Sequence, residues 1–91
     1  MATVRIPTPL RPLTQNQDEV QAEGATVRAL IGDLEKRYPG LGAKLLDKDG
    51  GLVRYINVFA NDEDIRFLDE LDTEVGAQDR IAIVPAIAGG R

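Results

Sequence analysis

Residues 80–91, RIAIVPAIAGGR, carry the most information about the architecture of this chain. Residues 80–87 are rich in β-branched side chains and have an alternating side-chain pattern. Both features are typical of a strand docked in a sheet. Two glycines follow within the next three positions. Glycines near a terminus often have no packing or functional role, but these two begin where a predicted rigid strand ends. The pattern therefore predicts a fixed strand that leads into a modifiable arm.

Residues 88–91 are expected to form this arm as a flexible tail. Ala88, Gly89 and Gly90 are small, and the two glycines carry no Cβ, so the backbone can pass through a narrow enzyme cleft without steric penalty. The tail would present a terminal carboxylate to another protein. Under this hypothesis the chain itself has no catalytic residue.

Upstream of residue 80, short alternating segments predict the rest of a sheet. Residues 7–16 carry three prolines, which remove amide donors, and we predict an extended loop there. Asn61-Asp62 is typical of a tight hairpin turn. The predicted strands cover residues 3–6, 18–23, 54–60, 63–66 and 80–87.

One main helix is predicted between the second and third strands. Thr26 can cap this helix, and apolar residues recur at helical spacing along one face until Pro39-Gly40 ends it. Residues 41–46 add a short helical turn. A later irregular segment is predicted to pack through Phe67, Leu68 and Leu71.

The element order β-β-α-β-β-β restricts the architecture. One helix covers only one face of a mixed five-stranded sheet, so few strand orders remain. An α+β fold of the β-grasp type satisfies these conditions, with the last strand central and parallel to the first. Ile81 and Ile83 would then face the helix, and residues 1–91 would form a single domain.

Composition excludes several classes of function. The 91 residues contain no cysteine, histidine or tryptophan, which removes thiol nucleophiles, imidazole bases and the usual nitrogen and sulfur metal ligands. The net charge of −4 disfavours nucleic acid and anionic membranes as partners. No apolar run approaches the ~20 residues that cross a bilayer, and there is no signal-peptide pattern. We therefore expect a cytoplasmic protein without a metal site.

Two surface features each have a plain and a functional interpretation. Residues 62–79 hold eight carboxylates against Arg66 alone, a net charge of −7, which indicates either simple solvation or a docking surface. On the sheet face away from the helix, Phe59, Val84 and Ala86 form a candidate partner-docking patch. The alternative for that patch is ordinary strand packing against long side chains.

Three segments of the chain resemble the ubiquitin-like sulfur carriers of the ThiS and MoaD family, along essentially its full length. They are residues 4–14, with VRIP and LRPLT, residues 58–67, VFANDEDIRF, and residues 79–90, DRIAIVPAIAGG. The first two segments look closest to the CysO type of carrier, which donates sulfur to a cysteine synthase. The resemblance implies a ubiquitin-like β-grasp fold.

The resemblance also implies a chemistry at Gly90. In this family an E1-like adenylyltransferase uses ATP to adenylate the terminal glycine carboxylate, and sulfur then replaces one oxygen to give a thiocarboxylate. In the CysO type this sulfur attacks an aminoacrylate on a pyridoxal-phosphate cysteine synthase, and a metal-dependent peptidase later releases cysteine. The chain would thus be a sulfur-donating cosubstrate, not an enzyme, with no bound cofactor.

Arg91 departs from the family pattern because it follows the two glycines. Either a trimming protease removes it before activation, or the chain is inactive as a carrier, or the residue is an added one. We favour a precursor that needs trimming. Molybdopterin, thiazole and thiolated tRNA bases are alternative acceptors with the same tail chemistry. A protein modifier conjugated through Gly90 and a β-grasp binding module that never uses its tail are further alternatives.

Overall fold

The computed structural model describes residues 1–85, and residues 86–91 lie outside the described part of the chain. The strands are β1 (Ala2–Arg5), β2 (Glu19–Ala22), β3 (Ile56–Ala60), β4 (Glu63–Asp64) and β5 (Arg80–Pro85). The α-helices are α1 (Val27–Arg37) and α2 (Leu41–Leu45). Short 3-10 helices cover Thr8–Thr14, Ile65–Phe67 and Glu70–Asp72.

The five strands form one mixed sheet in the order β2-β1-β5-β3-β4. β5 lies at the centre, parallel to β1 with Val4 opposite Ile81, and antiparallel to β3 with Val58 opposite Ile83. The outer pairs, β1–β2 and β3–β4, are antiparallel. This strand order and the parallel central pair confirm the predicted β-grasp fold.

One face of the sheet packs against α1 because the alternating residues on that face are apolar. Ile81 and Ile83 are only 2% and 4% exposed, as predicted for residues that face the helix. α1 contributes four buried residues at helical spacing: Val27, Leu30, Ile31 and Leu34. Burying one such side chain contributes roughly 1.5–3 kcal/mol, so the shared core holds β5 firmly in place.

The start of α1 is fixed both by its own cap and by the chain that precedes β5. The Thr26 hydroxyl accepts a hydrogen bond from the Ala29 amide at 3.2 Å, which confirms the predicted cap. The Val75 amide donates to the Ala25 carbonyl at 2.9 Å. These bonds join the helix to the segment that leads into the central strand.

The prediction of an extended loop over residues 7–16 is wrong. Thr8–Thr14 form a 3-10 helix, in which the Leu10 amide donates to the Pro7 carbonyl at 3.0 Å. Proline breaks a strand ladder, but its fixed φ also suits the first turn of a helix, and the sequence does not separate these outcomes. Leu10, within this helix, is buried in the core.

The region after β3 is more irregular than predicted. β3 begins at Ile56, two residues late, and β4 has only two residues. The prediction that Phe67 and Leu68 pack is wrong, because they are 84% and 38% exposed. In the 3-10 turn Ile65–Phe67, Ile65 takes the inward position at 1% exposed, whereas Leu71 is buried as predicted.

The β3–β4 hairpin turns through Asn61 and Asp62, as predicted. Both residues have positive φ, 51° and 74°, which is the conformation of a two-residue type I′ turn. The Asn61 amide donates to the Arg80 carbonyl at 2.8 Å, and the Asn61 side-chain oxygen accepts from the Arg80 amide at 3.0 Å. The turn therefore also fixes the start of β5.

The connection between α1 and α2 depends on Glu35. Its carboxylate accepts the Gly40 amide at 3.0 Å and the Gly42 amide at 2.7 Å, and these bonds hold the pKa of Glu35 below its ordinary value of 4.5. The resulting stabilisation is complete above that ordinary value and is lost as the pH falls through the lowered pKa. We expect Glu35→Gln to melt at a lower temperature than the parent chain at neutral pH, and the difference to narrow in acid.

Thermal unfolding followed by circular dichroism at neutral pH and at about pH 3 measures this difference. Glu19→Gln is the matched control, since Glu19 is an exposed residue of the edge strand β2 and is expected to change neither melting temperature. A Glu35→Gln effect of the same size at both pH values would contradict the assigned role of the Glu35 charge.

Candidate functional site

The candidate site is the end of β5 together with the sheet face opposite α1. The pairing of β5 with β1 ends at Arg5 and Ala82, whereas its pairing with β3 continues to Ile56 and Pro85. Residues 83–85 therefore have a strand neighbour on one side only. The predicted tail follows this half-paired segment in the sequence.

A groove of about 340 Å³ lies on the open side of this segment. Pro7, Arg11, Val84 and Pro85 are among the residues that line it. Arg11 is held in position because its Nε donates to the Ile6 carbonyl at 3.1 Å. The groove offers room for an extended segment of another protein beside the end of β5.

The sheet face opposite α1, called the open face below, is apolar at its centre and charged at its edges. Ala82 lies between Arg5 on β1 and Phe59 on β3, and Phe59 lies opposite Asp64 on β4. Ala82 and Phe59 are half-buried, whereas Arg5 is exposed. Val84, the next β5 residue on this face, is 40% exposed. An apolar centre with a polar border is typical of a protein-docking surface.

The structure brings together two of the three predicted docking residues. Phe59 and Val84 lie on neighbouring strands and both belong to the open face. Ala86 lies outside the described residues. The predicted tail and activation site, Ala88, Gly89 and Gly90, and the predicted processing residue Arg91 also lie outside them, so those assignments stay predictions.

Sequence reasoning missed Arg5, Ala82 and Asn57 as parts of this surface. Asn57 lies opposite Val84, and its side-chain oxygen is buried with no hydrogen-bond partner among residues 1–85. Such unsatisfied buried acceptors are uncommon in folded proteins. Strand register places these three residues together, and the only signal in the sequence was their alternation with buried neighbours.

The turn before β5 is fixed by a charged side chain. The Asp79 carboxylate accepts the Gly76 amide at 2.7 Å, and this bond, followed by one with the Asn61 side chain, holds the pKa of Asp79 below its ordinary value of 3.8. Within residues 1–85, no group of carboxylates has the arrangement of a metal site. Neither described α-helix is long and apolar enough to cross a membrane.

Comparisons with known proteins agree along nearly the whole chain. The profile of the ThiS family matches residues 4–90. The chain is 47% identical over 90 residues to the sulfur carrier protein CysO of Mycobacterium tuberculosis, covering 97% of each chain. It resembles a chain of the Amycolatopsis orientalis BexX/CysO complex with a TM-score of 0.92 and 47% identity, covering 99% of this chain and 100% of that one. It resembles small archaeal modifier protein 1 of Methanosarcina acetivorans with a TM-score of 0.84 and 27% identity, covering 98% and 95%.

Proposed function

The chain belongs to the ThiS family, and from this membership we propose that it is a sulfur carrier activated at Gly90. The observation that carries the proposal is the extent of the family match, which runs to residue 90 and so includes both tail glycines. The 47% identity to CysO sulfur carriers supports the same function. In this proposal Arg91 is removed before activation.

The proposed activation has two balanced steps on an E1-like enzyme. An oxygen of the Gly90 carboxylate attacks the α-phosphorus of ATP, the α–β phosphoanhydride bond breaks, and pyrophosphate leaves. A hydrosulfide ion then attacks the carbonyl carbon of the acyl-adenylate and AMP leaves, which yields a thiocarboxylate after loss of a proton. The chain supplies the carboxylate, and the activating enzyme supplies ATP and the catalytic groups.

The open face is proposed to dock the activating enzyme while the groove beside residues 83–85 receives an extended segment of it. Support comes from the apolar centre formed by Ala82, Phe59 and Val84, of which Val84 is 40% exposed. The firmly held central strand then fixes where the tail starts relative to the docked face, and this brings the tail carboxylate within reach of the docked enzyme.

Val84→Lys is expected to weaken activation without unfolding the chain. Val84 is 40% exposed, so lysine can extend into solvent in the free protein, but docking would bury its charge in an apolar contact. We expect the KM of the activating enzyme for the carrier to rise roughly tenfold with little change in kcat, because the reacting carboxylate is unchanged. Initial rates of pyrophosphate release measure both constants.

Gln21→Lys is the matched control for this variant. Gln21 is an exposed residue of the edge strand β2. The substitution adds the same charge as Val84→Lys, but away from Ala82 and Phe59. Its KM should stay within about twofold of the parent value, since charges at the border of an interface contribute little. Equal KM increases for the two variants would argue against docking through the centre of the open face.

We propose cysteine synthesis as the destination of the sulfur, with a pyridoxal-phosphate cysteine synthase as the acceptor enzyme. The support is the CysO type of the relatives, at 47% identity over nearly the full chain. Molybdopterin, thiazole and tRNA thiolation are alternative acceptors that use the same thiocarboxylate. Incubating the thiocarboxylate form with O-phosphoserine and the synthase and assaying for a cysteine adduct of the carrier distinguishes the first destination from the others.

A protein modifier is the second candidate function, favoured by the similarity to small archaeal modifier protein 1. Both functions need the acyl-adenylate, but in a modifier a lysine amine attacks it instead of sulfur. Intact-mass measurement of the trimmed chain after incubation with ATP, an E1-like enzyme and sulfide separates them. An oxygen-to-sulfur exchange supports the carrier, conjugates to other proteins support the modifier, and the absence of both products contradicts the proposal.

A further inference from the structure

Phe67 is the most exposed of the large apolar residues in the described part of the chain, at 84%, and Leu68 beside it is 38% exposed. Single exposed apolar residues are ordinary, but these two adjoin a groove of about 820 Å³. We call it the Phe67 groove. It is lined by Arg28 of α1, by residues 49–52 and by residues 65, 66 and 68–72, and it shares no residue with the open face.

The exposure of Phe67 does not come from a loose backbone. The Arg66 guanidinium donates to the Ile56 carbonyl at 3.2 Å, which ties the residue before Phe67 to β3. On the other side, the Asp69 amide donates to the hydroxyl of Thr73 at 3.1 Å, and Thr73 is buried. The segment is therefore held on both sides while the aromatic ring stays in solvent.

The groove is also lined by carboxylates that form no salt bridge in the described part of the chain. Asp72 pairs with Arg28 at 3.5 Å, but Asp49, Asp69 and Glu70 form no salt bridge among residues 1–85. With Asp72, the lining holds four carboxylates against the two guanidiniums of Arg28 and Arg66, so it is negative overall. A basic surface is the electrostatic complement of this arrangement.

Glu70 supports a role for this charge. It has a φ of 53°, in the left-handed region that favours glycine, so a glutamate there costs stability that glycine would not. The side chain is exposed and contributes nothing to the core. A charge kept at a strained position on the groove is consistent with recognition of a partner.

We infer that the Phe67 groove docks a protein surface that presents an apolar socket surrounded by lysine or arginine. A small ligand inside the groove would leave Phe67 uncovered, because Phe67 is not among the lining residues, whereas a protein surface covers the ring and the groove together. Aromatic side chains at the centre of such contacts dominate their affinity. A partner held here leaves the open face accessible, and the inference does not rest on chemistry at Gly90.

The test uses the full chain, labelled with ¹⁵N, and three short synthetic peptides as probes. One alternates lysine and leucine, one alternates glutamate and leucine, and one alternates lysine and serine. We expect only the lysine–leucine peptide to shift the amide resonances of residues 49–52 and 65–72, with weaker binding at higher salt. Phe67→Ala should raise its Kd roughly tenfold.

Tyr55→Ala is the control, since Tyr55 is an exposed aromatic residue outside the groove lining and its truncation should leave Kd within about twofold. Equal effects of the two substitutions, equal binding of the lysine–serine peptide, or shifts centred on the open face would each overturn the inference. Concentration-dependent shifts of the groove in the protein alone, abolished by Phe67→Ala, would assign the groove to a second copy of the chain and also overturn it.

Discussion

A trimmed chain ending at Gly90 will form an acyl-adenylate with ATP and an E1-like enzyme, whereas the same chain carrying Gly90→Val will not do so at a comparable rate. A β-branched side chain at the reacting residue widens the backbone that must pass through the enzyme cleft and displaces the carboxylate from the α-phosphorus of ATP. Misplacement by about 1 Å costs on the order of 100-fold in rate, and we expect at least that loss of pyrophosphate release.

Three companion chains make this result specific. The chain that still ends at Arg91 should be inactive and should regain activity after treatment with a carboxypeptidase that removes basic residues. Gly89→Ala should show a smaller loss, because its methyl group is smaller and lies one residue from the reaction. The unmodified trimmed chain sets the reference rate. Full activity of the chain that retains Arg91 would contradict the assignment of Gly90 as the activated residue.

Gly24→Ala is expected to be the most damaging single-methyl substitution at a described glycine. A Cβ on Gly24 would lie 2.4 Å from the Leu30 amide nitrogen and 2.8 Å from the Ala29 carbonyl carbon. Both are backbone atoms of α1, and Leu30 is fully buried, so the helix itself must move away from the core. Overpacking of this kind costs typically 1–3 kcal/mol, and we expect about 3 kcal/mol because backbone cannot rotate aside.

Gly32→Ala is the matched control for that substitution. Gly32 is exposed within α1, and beyond the backbone of its own helix a Cβ there meets nothing within 4 Å. Alanine at an open helical position should stabilise the chain by about 0.5–1 kcal/mol. In urea unfolding, the free energy of unfolding should therefore fall for Gly24→Ala and rise for Gly32→Ala. A Gly24→Ala chain as stable as the parent would show that the β2–α1 connection adjusts freely.

The sequence predicts those elements of this fold in which apolar side chains alternate along a strand or recur at helical spacing over several turns. α1 and β5 were predictable because each carries a continuous apolar pattern, and the central position of β5 was predicted from the β-grasp arrangement, one of the few strand orders that one main helix and five strands allow. The segments Thr8–Thr14 and Ile65–Phe67 were not predictable, since a 3-10 helix is too short for a period and depends on distant contacts. The contact of Arg66 with the Ile56 carbonyl is one of them.

The residues of the candidate site were likewise only partly predictable from the sequence. Phe59 and Val84 were identified because alternation predicts which face a strand residue occupies. Arg5 and Asn57 were not, because their positions beside those residues follow from the register between strands that are far apart in the sequence. Phe67 was predicted to be packed because it is apolar, and its exposure in the folded chain favours the docking interpretation of the acidic segment 62–79 over simple solvation.

The position of β5 between two paired strands also determines how the protein responds to force. A pull on its C-terminus loads β5 along its own length, so its hydrogen bonds to β1 and β3 are sheared together instead of being peeled apart one by one. Resistance to such a pull depends on the unfolding rate under load. A partner that draws the C-terminal end into its active site can therefore pull on that end without unfolding the domain.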